Sequence, residues 1–261
     1  MVNKMKHYIL SILSLCLLLV GCQQEELQES FGGKGYLSIE GLSVQAETPH
    51  LVTRATEVGV DALLNVDIYQ VTDGVVTTTP VVALQAGEDI RKVELTAGSY
   101  RLIAYNDAYE DYTTWTNEDK GEPIYYLEKD FTVSEGKVTY ITEVAEMINF
   151  GVCLTTVAGE EWFDEMMFAA TLVGGRTVTL FKNEKGYFPP INTLSAGTSL
   201  LYSLKVKNKE GEEFDADGNP YYEEITGNKL TLANNQIKAG TLYEFVYELE
   251  TKTLQLINET K

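Results

Sequence analysis

The chain has 261 residues, with 20 Lys and Arg against 39 Asp and Glu, and a formal net charge of −19 at pH 7. Such an acidic chain repels phosphate backbones and gains no counterion release from binding them, which excludes nucleic acid as a partner. Hydrophobic residues make up 44% of the sequence, enough to build more than one folded core.

Residues 1–21 have the composition of an export signal. A short basic head with two lysines precedes the apolar run 9–20, which is too short to span a bilayer. The run ends in Leu19-Val20-Gly21-Cys22, which resembles a bacterial lipobox, in which the cysteine sulfur takes a diacylglyceryl group. We predict a signal peptide over residues 1–21 and lipidation at Cys22, and the alternative is a core strand that contains a cysteine. Acyl chains such as palmitate contribute about 0.8 kcal/mol of anchoring per buried CH2.

Residues 22–34 form the predicted tether. They begin with Cys22-Gln23-Gln24-Glu25-Glu26, whose acidic tract resembles the export signal of Bacteroidetes lipoproteins on the outer face of the outer membrane. Few apolar residues and two glycines predict a flexible segment. We therefore expect a lipid-anchored, surface-exposed protein of the cell outer membrane. The tract is also typical of an ordinary solvated tether.

Strand patterns follow one another from residue 36 onward. The first, 36–44, changes phase at Gly41, because Leu37 and Ile39 lie on one face and Leu42 on the other, and this change predicts a β-bulge. Alternating apolar and polar residues predict further strands at 66–68, 93–95, 100–105, 131–133, 138–141, 177–181, 201–206, 230–232, 242–249 and 253–257.

Turn and helix signals are fewer. Ser134-Glu135-Gly136-Lys137 predicts a hairpin between the flanking strands, and residues 250–252 predict a terminal hairpin at the end of the chain. One short helix is predicted at residues 160–167, where acidic residues in the first turn favour the helix dipole.

The string aliphatic-x-Ala-Gly occurs twice in each half, at 84–87, 95–98, 194–197 and 237–240. Its glycine would take the positive φ of a tight turn after a strand. The repeat favours two duplicated halves, but Ala-Gly is also a common turn in any all-β protein. Short strands with regular turns predict an all-β fold of two tandem antiparallel β-sandwiches, at residues 35–148 and 149–261.

Histidine and cysteine are scarce in the predicted mature chain. Only His50 and Cys153 remain besides the lipidated cysteine, which excludes a His-based zinc site, a catalytic triad and an internal disulfide. Cys153 lies in an apolar run that predicts a buried core residue. The loop 215–220 resembles the start of a calcium site, but Pro220 replaces the required glycine, so a tight turn is predicted. We expect no cofactor, no metal and no enzymatic activity; hydrolysis by a pair of carboxylates stays open as a third hypothesis.

A family resemblance depends on the lipobox together with strand-and-turn motifs. These motifs are Ala97-Gly98-Ser99-Tyr100-Arg101-Leu102-Ile103-Ala104, Pro123-Ile124-Tyr125-Tyr126, Phe131-Thr132-Val133-Ser134-Glu135-Gly136 and the strand at 149–154. With them the chain resembles a Bacteroidetes surface lipoprotein family, domain of unknown function 4493. It is also similar to the fimbrillins, the type V pilus subunits of that phylum. This resemblance implies tandem transthyretin-like sandwiches exported as a lipoprotein, and an arginine-specific cut beyond the first strand that opens a groove for a strand of the next subunit.

The segment Thr53-Arg54-Ala55-Thr56 matches the position of that cut. Cleavage between Arg54 and Ala55 would release the first strand together with the lipid, and the exposed groove would accept a donor strand such as 253–257. This hypothesis implies other pilus subunits as partners and a structural or adhesive role. The alternative is an ordinary exposed arginine in a Thr-rich loop.

A glycan-binding surface lipoprotein is the second functional hypothesis. The long loop expected after residue 105 places Tyr109, Tyr112 and Trp115 among carboxylates. Because sugars stack on flat aromatic faces and hydrogen-bond with acidic groups, these three are the candidate ligand residues. The alternative is structural, with tyrosines in half-buried strand positions and in a loop cap.

Overall fold

The computed structural model describes residues 33–44, 64–88, 92–156, 163–208, 223–226, 230–231, 237–248 and 253–260. These residues are mostly strands, with one short α-helix and two 3-10 turns. The strands form four sheets, two in each half of the chain, and each half has its own apolar core. The predicted all-β fold of two tandem β-sandwiches is confirmed.

The first sandwich pairs a three-stranded sheet with a seven-stranded one. Its strands are β1 Lys34–Ser38, β2 Ser43–Val44, β3 Asn65–Thr72, β4 Val75–Val76, β5 Val82–Leu84, β6 Lys92–Thr96, β7 Gly98–Tyr105, β8 Tyr125–Val133, β9 Val138–Tyr140 and β10 Val144–Met147. The small sheet has the order β6-β1-β9, and the large one has the order β2-β10-β8-β7-β3-β4, with β5 also paired to β3. Between β7 and β8 lie the helix α1, Ala108–Asp111, and the 3-10 turn Tyr112–Thr114.

Strand β7 shows why these sequences form sheets. Tyr100, Leu102 and Ala104 are buried on one face, whereas Arg101 and Ile103 between them are half-buried on the other. Such alternation places every second side chain in the core. Since β7 pairs with β3 on one side and β8 on the other, it is the central strand of the large sheet.

The first strand passes from one sheet to the other. In the small sheet β1 lies between β6, which is antiparallel to it, and β9, which is parallel; β2 then pairs with β10 in the large sheet. The phase change at Gly41 is therefore a corner between two strands, and the prediction of a bulge within one strand was wrong. A Cβ at Gly41 would lie 2.7 Å from the Thr142 side chain, so the corner needs a glycine.

The strands on either side of Ser134-Glu135-Gly136-Lys137 also lie in different sheets. The turn itself forms, with Gly136 at a φ of 68° and the Lys137 N–H donating to the Ser134 carbonyl at 3.2 Å. However, β8 belongs to the large sheet, and β9 pairs with β1 in the small sheet. The predicted hairpin was wrong, because a four-residue turn can join two layers as well as two neighbouring strands.

The second sandwich is built from the remaining strands. They are β11 Phe150–Thr156, β12 Phe163–Leu172, β13 Thr177–Leu180, β14 Lys185–Phe188, β15 Ser199–Asn208, β16 Glu223–Thr226, β17 Leu230–Thr231, β18 Thr241–Glu248 and β19 Thr253–Thr260. One sheet has the order β14-β11-β18-β19, and the other has the order β13-β12-β15-β16, with β17 also on β15. The 3-10 turn Ile191–Thr193 follows β14. Antiparallel pairing of β18 with β19 confirms the terminal hairpin.

The predicted helix at 160–167 was wrong where the structure describes it. Residues 163–167 begin β12, which pairs with β15 along most of its length. Met166, Phe168 and Ala170 are buried at a spacing of two residues. Pairing with β15 thus overrides the helix signal of the acidic residues in the predicted first turn. Burying these apolar side chains on one sheet face is more favourable than forming a short exposed helix.

The repeated Ala-Gly strings have different structures. Gly87 and Gly240 take the predicted positive φ, at 87° and 67°, whereas Gly98 is the first residue of β7 and has no positive φ. One copy in each half is therefore a left-handed turn. This mixture favours a common turn rather than a strict internal repeat.

Candidate functional site

The loop between β7 and β8 carries the residues that the sequence singled out. The sequence predicted a single irregular loop, but the segment begins with the helical turn α1, in which Ala108 is buried. The Tyr109 N–H donates to the Asn106 carbonyl at 2.9 Å, and the Asn106 side chain binds the Pro123 carbonyl and the Tyr125 N–H. Asn106 therefore closes the loop at its base.

A pocket of about 490 Å³ lies along this loop. Its walls combine an indole, four carboxylates and one lysine, and they are formed by Asp107, Ala108, Asp111, Trp115, Asp119, Lys120, Gly121 and Glu122. Of the three candidate ligand residues, only Trp115 lines it. Tyr109 and Tyr112 lie in α1 and in the following 3-10 turn, outside the pocket wall.

Two of the pocket carboxylates are held by hydrogen bonds. The Asn65 side-chain amide donates to Asp107 Oδ1 at 2.8 Å. The N–H and hydroxyl of Thr116 donate to Asp119 Oδ2 at 2.7 and 2.9 Å, and they hold the pKa of Asp119 below its usual range. These groups are therefore positioned before any ligand arrives.

Tyr109 belongs to a separate aromatic cluster. Its ring stacks on Tyr126 at 4.8 Å between centroids and tilts against Tyr105 at 5.6 Å. The Tyr105 hydroxyl donates to Asp67 at 3.2 Å, and burial together with nearby carboxylates raises the pKa of Tyr105. Burial, with a hydrogen bond to Glu128, raises the pKa of Tyr126 to about 12. The cluster thus covers the outer face of the large sheet, as the structural alternative for these tyrosines predicted.

Trp115 contacts a residue that the sequence analysis missed. The guanidinium of Arg176, from the turn between β12 and β13, lies over the indole with 5.2 Å from Cζ to the ring centroid. Its Nη2 donates to the Asp119 carbonyl, while Nε and Nη1 have no hydrogen-bond partner among the described residues. Burial lowers the pKa of Arg176. No sequence signal marks these contacts, because Arg176 lies 57 residues after Asp119 and still further along the chain from Trp115.

The pocket lining offers hydrogen bonding, charge and aromatic stacking. Within the described part of the chain, no three His, Cys, Asp or Glu side chains are placed to hold a metal ion. Cys153 is a buried residue of β11, as predicted. Arranged in this way, the pocket can bind a polar ligand.

Several predicted sites lie outside the described residues. They are Cys22 with the signal peptide, residues 22–32 of the tether, His50, the Arg54–Ala55 cleavage site, and the loop 215–220. The last residue of the predicted tether, Lys34, is the first residue of β1. In the ranges that the structure does describe, no helix has the length and apolar character needed to cross a membrane.

No family model and no curated protein matches the chain, so the resemblance to domain of unknown function 4493 stays a prediction. Solved structures give weak similarities. A fimbrial assembly protein from Parabacteroides distasonis is 12% identical, with a TM-score of 0.41, over 86% of this chain and 98% of that one. The tip fimbrial protein Mfa3 from Porphyromonas gingivalis is 6% identical, with a TM-score of 0.44, over 87% and 99%. Because each TM-score is below 0.5, these similarities carry no argument about a shared function.

Proposed function

We propose that the chain is a lipid-anchored surface protein of the outer membrane, with a structural or adhesive role and no catalysis. The main support for this proposal is the position of the first strand in its sheet. β1 is the central strand of the small sheet, although it is the first strand that the structure describes. Among the described strands, β6 and β9 pair only with β1, so its departure would leave both without a partner.

The first strand also fills the core of its sandwich. Leu37, Ile39 and Leu42 are all buried there, and each contributes roughly 1.5–3 kcal/mol of burial. An empty place left by this strand would be an apolar groove with unpaired backbone groups on both sides. An added strand with the same alternation satisfies such a groove.

The last strand has the features of a donor. Among the described strands, β19 pairs only with β18, so it lies at a sheet edge. Leu254 is buried and Leu256 packs partly against the core, which gives the alternation that the groove requires. In this proposal a cut after Arg54 releases β1 and β2 together with the lipid on Cys22, and residues 253–257 of a second subunit replace them.

The experiment compares three forms in native cells: wild type, Arg54→Lys and Arg101→Lys. Arg54→Lys keeps the charge but removes the arginine that the protease requires, and Arg101→Lys is the same change at an ion-paired strand residue. We expect wild type and Arg101→Lys to begin at Ala55 in detergent-resistant assemblies, and Arg54→Lys to begin at Cys22 as a monomer. N-terminal sequencing that finds only Cys22 in wild type would contradict assembly by strand exchange.

A glycan-binding role is the second candidate, and the pocket beside Trp115 favours it. An indole beside fixed carboxylates matches the stacking and hydrogen bonding that sugars require. Calorimetric titration with neutral oligosaccharides tests it. We expect Trp115→Ala to lose binding and Phe181→Ala, an exposed aromatic outside the pocket, to keep it. Absence of binding by wild type would end this hypothesis.

A further inference from the structure

The second part of the loop that lines the pocket, residues 115–122, also contacts the second sandwich. We infer that residues 115–122, together with Asn149, form a clasp that holds the two sandwiches as one rigid body. Covalently, the sandwiches are joined by only two residues between β10 and β11. Relative motion is the usual expectation for two domains joined in this way, unless a well-packed interface prevents it.

Polar contacts cross from three positions in the loop. The Lys120 carbonyl accepts the Tyr187 N–H at 2.7 Å, and the Asn117 side chain accepts the Thr177 N–H at 2.8 Å. The Asp119 carbonyl accepts Nη2 of Arg176. Two of these contacts use backbone N–H groups of the second sandwich, so the loop supplies acceptors for donors at Thr177 and Tyr187.

An ion pair adds charge to the same interface. The Lys120 ammonium contacts the Glu184 carboxylate, and the resulting hydrogen bond lowers the pKa of Glu184. Both side chains are partly exposed, so this pair contributes to orientation more than to stability.

Asn149 holds the junction from inside. It is fully buried, and its Oδ1 accepts the Ile124 N–H at 2.8 Å. Its Nδ2 donates to the carbonyls of Glu122 at 2.9 Å and Phe188 at 3.0 Å. One side chain therefore binds the loop of the first sandwich and a strand of the second, with all of its hydrogen-bonding groups used.

Apolar packing is continuous across the junction. Tyr187 comes from β14 of the second sandwich, yet it is 5% exposed and packs into the core of the first, where Trp115 also contacts the cluster. Gly121 has a φ of +70°, and a Cβ there would lie 2.9 Å from the indole and 3.0 Å from the Tyr187 carbonyl. Only glycine fits where loop, indole and second sandwich meet.

The clasp gives Trp115 a structural role. One face of the indole carries Arg176, and the loop backbone at Asp119 and Lys120 is bonded to the second sandwich. This inference rests on neither candidate function, and it makes Trp115 a positioning residue.

Spin-label distance measurements test the clasp. The mature chain with Cys22→Ser and Cys153→Ala would carry labels at Val75→Cys and Leu201→Cys, which are exposed positions on the first and second sandwiches. We expect one narrow distance distribution. A broad distance distribution in this labelled protein, whose clasp residues are unchanged, would overturn the inference regardless of the results for clasp variants.

Two glycine variants then locate the rigidity. Gly121→Ala adds a Cβ into the clasp, whereas Gly174→Ala imposes the same left-handed strain, at a φ of +80°, with no atom within 4 Å. We expect Gly121→Ala to widen the distribution at least about twofold and Gly174→Ala to leave it unchanged. Equal widths in both variants would contradict the clasp. If Gly121→Ala does not fold, the charge reversal Lys120→Glu should widen the distance distribution instead. Adding Glu184→Lys should restore the ion pair and narrow the distribution again. A double variant whose distribution stays broad would also contradict the clasp.

Discussion

The two sandwiches close their cores in different ways. The core of the second is richer in aromatic residues: Phe150 and Phe188 stack at 4.9 Å, and Tyr202 and Phe245 lie 4.4 Å apart. The first has a largely aliphatic core, and it is completed by β1 and β2, the first two strands that the structure describes. Contacts between rings therefore contribute more to the second core, while the first depends on one strand that lies between two others. The two sandwiches thus share an architecture but differ in how far their cores depend on a single strand.

The largest expected effect comes from deleting residues through 44. Leu37, Ile39 and Leu42 together contribute roughly 5–9 kcal/mol of burial, which is comparable to the stability of a whole domain. Hydrogen exchange should show protection lost across β3, β7 and β8 and retained in β12 and β15. A chain that begins at residue 33 is the control. Full protection in the deleted chain would show that β1 and β2 are dispensable.

Phe245→Ala should weaken the second sandwich by about 3–5 kcal/mol, because it removes a buried ring that contacts both Phe168 and Tyr202. Phe131→Ala is the matched change in the first sandwich. Phe131 is only partly buried and stacks on Tyr100 at 5.6 Å, so we expect a loss of about 1 kcal/mol. Urea unfolding monitored by circular dichroism gives both values. Equal losses would contradict the view that aromatic packing dominates the second core.

Asn149→Ala tests the junction between the two regions. It leaves the buried Ile124 N–H without its acceptor, which costs about 1–3 kcal/mol. Asn117→Ala removes one exposed hydrogen bond to Thr177 and should cost about 0.5–1 kcal/mol. The same unfolding experiment measures both. A smaller loss for Asn149→Ala than for Asn117→Ala would show that the buried asparagine is not a structural tie.

The smallest effect is electrostatic and belongs to the first sandwich. Hydrogen bonds from Arg101 to Asp130, at 2.6 and 2.9 Å, lower the pKa of that carboxyl. The unfolded chain then binds more protons, so the contribution is present above the ordinary carboxyl pKa and is lost as pH falls through the folded value. Asp130→Asn should be less stable than wild type at pH 7, and the difference should shrink progressively as pH falls below 3.8, measured by urea unfolding. A gap that persists at low pH would mean that the carboxylate charge is not its cause.

Local sequence patterns were enough to predict that the described residues are mostly strands. Alternation at Tyr100, Leu102 and Ala104 predicted β7, and the apolar run around Cys153 predicted a buried strand. These patterns are local, because successive side chains of a strand point to opposite faces of the sheet and every second one is buried. They also predicted that Trp115 and its carboxylates share one loop, and they predicted the terminal hairpin.

Which strands pair with one another depends on long-range packing that the sequence patterns do not show. Alternation shows which face is buried but not which partner lies beside it, so the passage of the first strand between sheets was interpreted as a bulge. Residues 163–167 became a strand because β15 offers them a partner. The role of Trp115 depends on Arg176 and Tyr187, which come from strands and turns far along the chain. Contacts of that range arise when two cores pack together, and no local pattern encodes them.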